Sequence, residues 1–215
     1  QTGKVIAISQ GHTNAIEAVA WWPDGTELAS ASDDGIIRIW AMPDGIPIAQ
    51  LQGHHSGANA VAWSPDGTMI ASAGWDNTVR VWMRNSGKQR FMLTGHEGRV
   101  WMVAWHPSQP IIASVSRDGT VRTWDAYSGQ GLQIYETHAY VDLESLAWSA
   151  DGTQIAAGGD DGLVRVWDAA SAEIVQVMEG HGRHIWGLAW SSTDLISGSY
   201  YDGSMRVWDT TTGEQ

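Results

Sequence analysis

Short runs in which apolar or small residues take every second position recur along the chain. The first set is "EAVAW" (17–21), "ELASAS" (27–32), "IIRIW" (36–40) and "IPIAQL" (46–51), four segments with the two-residue period of half-buried strands. Turn residues separate them: Pro23-Asp24-Gly25 between the first two, Asp34-Gly35 between the second and third. Such dipeptides accept the positive φ that tight hairpins demand. No ten-residue segment carries a convincing helical period, so the expected unit is a meander of four antiparallel strands.

The unit repeats five times. His12, His54, His96, His138 and His181 follow one another at intervals of 42, 42, 42 and 43 residues. An apolar-Ala-Trp triplet ends the first strand at Trp21, Trp63, Trp105, Trp148 and Trp190, and a second Trp closes the third strand at Trp40, Trp82, Trp124, Trp167 and Trp208. A sheet of this size cannot bury both of its own faces and must stack on its neighbours, which is the signature of a propeller blade. The expected fold is therefore all-β: a single domain, 1–215, of five blades at about 11–52, 53–94, 95–136, 137–179 and 180–215. Residues 3–10, "GKVIAISQ", align with the fourth-strand stretch "GKQRFMLT" (87–94), while the chain ends shortly after a third strand. The N-terminal strand is expected to complete the last blade and close the ring as a monomer, leaving no open sheet edge.

These residues carry a specific resemblance. With "GH" openings at Gly11-His12, Gly53-His54, Gly95-His96 and Gly180-His181, and Trp-Asp endings at Trp124-Asp125, Trp167-Asp168 and Trp208-Asp209, the chain resembles the WD-repeat β-propellers. It departs from the pattern at Trp40-Ala41, Trp82-Met83 and Thr137-His138, and most members have seven blades. The resemblance implies a buried His-Ser-Asp-Trp hydrogen-bond network in each blade: His12, Ser30, Asp34 and Trp40; His54, Ser72, Asp76 and Trp82; His96, Ser114, Asp118 and Trp124; His181, Ser197, Asp202 and Trp208. The fourth blade offers His138, Asp161 and Trp167 but has Ala157 where the serine belongs.

A serine, a histidine and an aspartate could also make a hydrolytic triad. A catalytic site is rarely built five times in one domain, whereas a structural tie has to be, so no catalytic residue is expected. The arginines Arg38, Arg80, Arg122, Arg165 and Arg206 stand two residues before each third-strand Trp, and are thereby spread around the disc instead of forming a basic patch. His54-His55 and His181 with His184 have no carboxylate or Cys placed beside them by spacing, so no metal and no cofactor are expected.

Composition narrows the partners. A formal charge of −12 disfavours nucleic acid, and the absence of Cys removes thiol and disulfide chemistry. No run approaches the roughly 20 apolar residues of a membrane helix and no leader opens the chain, so no membrane partner is expected and the expected compartment is the cytoplasm.

If the repeated residues are structural, function lies where the repeats differ. Three positions per blade point to one face, formed by the loops before the first strand and between the second and third. Six before the first-strand Trp stand Ala15, Gly57, Arg99, Asp142 and His184; four before it, Glu17, Asn59, Trp101, Glu144 and Trp186; and beside the network Asp, Asp33, Trp75, Arg117, Asp160 and Tyr201, with Tyr200 adjacent. The candidate binding residues are Glu17, Asp33, Trp75, Arg99, Trp101, Arg117, Glu144, Asp160, His184, Trp186 and Tyr201. Large aromatics with Arg and carboxylates on one rim are the composition of a binding hot spot. The reading is a non-enzymatic scaffold that binds a peptide or protein segment. The alternatives are a small-ligand or glycan module with an aromatic cage on the same face, and Trp101 and Trp186 as filler of a central channel.

Overall fold

A computed structural model describes residues 3–137 and 140–210. The first four sheets each have four antiparallel strands joined as meanders. They are β1 (Ile16–Trp21), β2 (Glu27–Ser32), β3 (Ile36–Ala41) and β4 (Ile46–Gln52); β5 (Ala58–Trp63), β6 (Met69–Gly74), β7 (Val79–Met83) and β8 (Gln89–Leu93); β9 (Val100–Trp105), β10 (Ile111–Ser116), β11 (Thr120–Asp125) and β12 (Gly131–Glu136); β13 (Leu143–Trp148), β14 (Gln154–Gly159), β15 (Val164–Asp168) and β16 (Ile174–Met178). The fifth sheet has three: β17 (Ile185–Trp190), β18 (Asp194–Ser199) and β19 (Met205–Asp209). The hairpins between second and third strands turn at Gly35, Gly119, Gly162 and Gly203, all at positive φ; where the second blade has Asn77, it too adopts φ 63°. Asn is among the few residues with a side chain that tolerates this region.

First strands lie beside one another, β1 next to β5, β5 to β9, β9 to β13 and β13 to β17. Between successive sheets the inward positions interlock. Ala29, Ala31, Ile37, Ile39 and Leu51 of the first blade meet Val61, Trp63, Ile70 and Trp82 of the second, and three further cores repeat this arrangement along the series. The first-strand indoles add a hydrogen bond across each joint: Trp63 Nε1 donates to the Ala20 carbonyl (3.1 Å), Trp105 to Ala62 (3.1 Å) and Trp190 to Ala147 (3.3 Å). In the fourth blade Trp148 instead packs edge-on against His106 at 4.8 Å.

The end of the series departs from expectation. Residues 3–10 form no strand, and among the described residues the last sheet ends at β19, so the N-terminal segment does not complete it. That segment instead lies by the outer turn of the first blade, where Ser9 Oγ donates to the Gly45 carbonyl at 3.1 Å. The reason is positional. Four packed cores join the five sheets in an open series, so the free edge of β19 and residues 3–10 stand at opposite ends.

Candidate interaction face

The His-Ser-Asp-Trp networks are built as relays. In the first blade Trp40 Nε1 donates to Ser30 Oγ (2.8 Å), Ser30 Oγ meets His12 Nε2 (2.7 Å), and His12 Nδ1 meets Asp34 Oδ2 (2.9 Å). The Ser72, Ser114 and Ser197 sets repeat this within 2.7–3.0 Å. One proton arrangement satisfies every atom: indole N–H to serine oxygen, serine O–H to Nε2, and Nδ1–H to carboxylate. The spacing is that of a hydrolytic triad, but all four serine side chains are buried and each oxygen already accepts an indole N–H. The glycine before His54 is explained as well, since a Cβ on Gly53 would come within 2.7 Å of the Trp82 ring and 3.1 Å of Arg80.

The fourth blade differs. His138 lies outside the described residues, Asp161 pairs with Arg165 at 2.6 Å, and Trp167 Nε1 has no acceptor among the described residues because Ala157 replaces the serine. Ala157→Ser restores that acceptor and is expected to stabilise the protein by up to about 1 kcal/mol, read by urea unfolding.

These networks set the response to acid. Burial disfavours ionisation of Asp76 and Asp118, yet hydrogen bonds from His54 and His96, from Thr78 and Thr120, and from the backbone outweigh it and hold both carboxyls far below the usual range. Ser204, the Gly182 amide and His181 do the same for Asp202, while burial lowers the His96 imidazole. A group with a depressed folded pKa contributes stability that is present above its unfolded pKa and lost as pH falls. Asp142 and Glu144, raised by burial, act in the opposite sense but are outnumbered. Stability should therefore decline below about pH 6.5 as unfolded-state histidine protonates, and more steeply below about 4 as carboxylates do; urea titrations at stepped pH that gave a flat profile would contradict this.

Backbone hydrogen bonds link two of the variable positions within a blade. In four blades the backbone N–H of the residue beside the network Asp donates to the carbonyl of the residue six before the first-strand Trp: Asp33 to Ala15 (3.0 Å), Trp75 to Gly57 (2.8 Å), Arg117 to Arg99 (3.0 Å) and Asp160 to Asp142 (3.0 Å). Side chains then connect neighbouring blades. Arg99 stacks over Trp75 at 4.2 Å, and Trp75 donates to Asn59, which itself donates to the Val100 carbonyl at 2.9 Å. Trp101 Nε1 donates to Asp142 Oδ1 at 2.6 Å, Arg117 approaches that carboxylate at 3.9 Å, and Asp160 accepts the Asp142 N–H at 3.0 Å. Trp101 also meets Trp186 edge-on at 6.3 Å. His184 pairs with Glu144 at 2.7 Å and stacks on Tyr201 at 4.7 Å, with Tyr200 beside it. The backbone of His184 is held at φ 41°, a conformation that a non-glycine residue adopts at a cost.

Two candidates stand apart. Asp33 lies against Gly57, its Oδ1 buried with no partner among the described residues, and Glu17 is exposed on β1 at the open end of the series. Asn59 and Asp142 hold the aromatic anchors and belong to the face; their signal was their place at the same repeat positions. Glu144 is 8% exposed, and its Oε2 has no partner among the described residues. The result is an aromatic rim over the Asp142 and Glu144 carboxyls, whose ionisation burial disfavours, with Trp186 (53%), Tyr200 and Tyr201 open to solvent.

Comparisons with known proteins agree with this architecture. The model of a family described as "IFT122 first beta-propeller" matches residues 36–215, and that of "WD domain, G-beta repeat" matches residues 3–41. Among curated proteins of Arabidopsis thaliana, the chain is 52% identical over 42 residues to "WD repeat-containing protein 26 homolog", covering 19% of this chain and 7% of that protein. It is 45% identical over 40 residues to "WD40 repeat-containing protein HOS15", covering 19% of this chain and 6% of that one. The matches thus span about one repeat of much longer relatives. Repeat spacing, sheet topology, the relays and a family match over most of the sequence lead to one conclusion: this chain belongs to the WD-repeat β-propeller family.

Proposed function

We propose that the chain is a non-enzymatic interaction module that captures a protein segment on the rim formed by the loops before the first strands and between the second and third. The observation that carries the reading is the grouping on blades three to five. Trp186 and Tyr201 are exposed beside Asp142 and Glu144, whose ionisation burial disfavours. A basic side chain docked over this group favours ionisation of both carboxylates. A neighbouring large apolar side chain covers the aromatics. The preferred segment is therefore of mixed charge, with one basic and one large apolar residue.

The sealed serines support a role without catalysis, since a nucleophile must reach its substrate. The charge of −12 argues against a nucleic acid partner. The exposed rings of Trp186 and Tyr201 also favour a second reading, a small organic cation held without a peptide. Titrating the chain with a peptide panel varied at the basic and apolar positions, alongside free cationic amino acids and glycans, separates the two. Peptides carrying both residues are expected to bind at least about tenfold more tightly than peptides lacking either. Equal binding of the free cation would favour the small-ligand reading, and no binding by any peptide would refute the main one.

A further inference from the structure

On the side of the disc opposite the candidate face, a cleft of about 140 Å³ opens between the second and third blades. The buried Trp105 and Met69, together with Pro65, Pro110 and a Tyr127 that is 55% exposed, give it apolar walls. The third blade departs from its neighbours at this place. Where the first, second and fourth blades read Asp-Gly-Thr (24–26, 66–68 and 151–153) it reads Ser108-Gln109-Pro110, and where they have Pro43, Asn85 and Ala170 it has Tyr127.

The new side chains are not needed to hold the backbone. His106 Nδ1 accepts the Ser108 and Gln109 amides at 3.1 and 3.0 Å, taking over the turn. The Asp125 carboxylate accepts from the Tyr127 and Ser128 amides at 3.0 and 2.6 Å and from the Ser128 hydroxyl at 2.8 Å. The Ser108 and Tyr127 hydroxyls and the Gln109 side-chain amide, by contrast, make no hydrogen bond to a described residue. Asp66 is the carboxylate that lines the cleft. Burial raises its pKa, but hydrogen bonds from the Ser64 hydroxyl and from the Thr68 amide and hydroxyl outweigh this and hold it below the usual carboxylate range. Arg90 is engaged elsewhere, donating to the Tyr127 carbonyl at 3.0 Å and lying over the Tyr127 ring at 5.7 Å.

A cleft below the roughly 300–1,000 Å³ of small-molecule pockets suits side chains presented by a longer segment. Rigid apolar rings, unused donors and one carboxylate narrow the choice. A polyproline II segment has no internal hydrogen bonds, so its carbonyls are open to donors, and it docks in aromatic-lined grooves at little cost in chain entropy. We propose that this cleft binds a proline-rich segment of another protein, with a basic residue beside the prolines paired to Asp66. Tyr127, next to Trp105, receives the prolyl rings, while Ser108, Gln109 and the Tyr127 hydroxyl donate to the carbonyls. The contact is separate from the rim on the other side of the disc.

Isothermal titration of the full chain with three short peptides tests this: prolines with one arginine, the same with glutamate for arginine, and the first with alanine for each proline. The arginine peptide is expected to bind, the glutamate peptide up to about fivefold more weakly, and the alanine peptide at least about tenfold more weakly. Tyr127→Ala, in a turn that Asp125 holds, should weaken the arginine peptide at least about tenfold with the urea midpoint unchanged. Asp66→Asn should abolish the preference for arginine over glutamate. Trp186→Ala should leave binding as it is, which separates this site from the rim. An arginine peptide that does not bind at millimolar concentration overturns the proposal, as do equal binding of the alanine peptide, a Tyr127→Ala protein that binds normally, or loss of binding in Trp186→Ala.

Discussion

Asp118→Ala is expected to lower the free energy of unfolding by about 2–4 kcal/mol. The carboxylate accepts from His96 Nδ1 at 2.8 Å, from the Glu97 amide at 2.9 Å, and from the Thr120 amide and hydroxyl at 2.9 and 2.7 Å. Alanine leaves all of these donors without their acceptor. The backbone amide of Glu97 is near solvent and regains water cheaply, whereas the His96 ring is buried and does not. Trp124 keeps its bond to Ser114, so the loss stops short of the whole relay. Asp118→Asn retains one acceptor oxygen and should fall between the two. The fourth blade, folded with Ala157 and with a Trp167 indole that has no acceptor among the described residues, shows that one relay without its serine is tolerable. Urea denaturation provides the measurement, and a loss below about 0.5 kcal/mol would contradict the structural role given to the relays.

Trp186→Ala is expected to weaken binding of a mixed-charge peptide at least tenfold, a loss of about 1.4 kcal/mol. Its side chain is half exposed and meets Trp101 only at an edge, so the cost to folding should be within about 0.5–1 kcal/mol. Trp75 and Trp101 make poorer probes, though the sequence points to these two as the anchors whose loss would weaken binding with stability nearly unchanged. Trp75 holds Asn59 and carries Arg99, and Trp101 holds Asp142 while packing on the core between the third and fourth blades. Removing either disturbs stability and binding together. Isothermal titration with parallel melting curves separates the effects, and a Trp186→Ala protein that binds normally would shift the contact away from blades three to five.

Strand positions were legible because period-two patterning and turn residues speak locally: "IPIAQL" and "IIRIW" lie within the observed β4 and β3. The relays were legible because they repeat, although the order of their links, indole to serine to imidazole to carboxylate, was not. The candidate face was legible as a set of positions but not as a set of pairs. Nothing in the spacing reveals that Arg99 would cover Trp75, or that His184 would take up Glu144, because those contacts cross between blades. The open ends were invisible for a related reason. Val19 and Val207 read as core residues in every respect that periodicity can detect, and only the stacking of blades shows that both are exposed.

The fourteen tryptophans supply the most direct test of the proposed face, since each indole N–H gives its own signal in a 15N–1H spectrum. On adding a peptide with one basic and one large apolar residue, the account predicts shifts at Trp186 and Trp101, with a smaller one at Trp75. The indoles of Trp40, Trp82, Trp124 and Trp208, held in buried relays, should stay in place. Shifts confined to Trp22 and Trp63, on the side of the Pro23-Asp24-Gly25 turn, would contradict it.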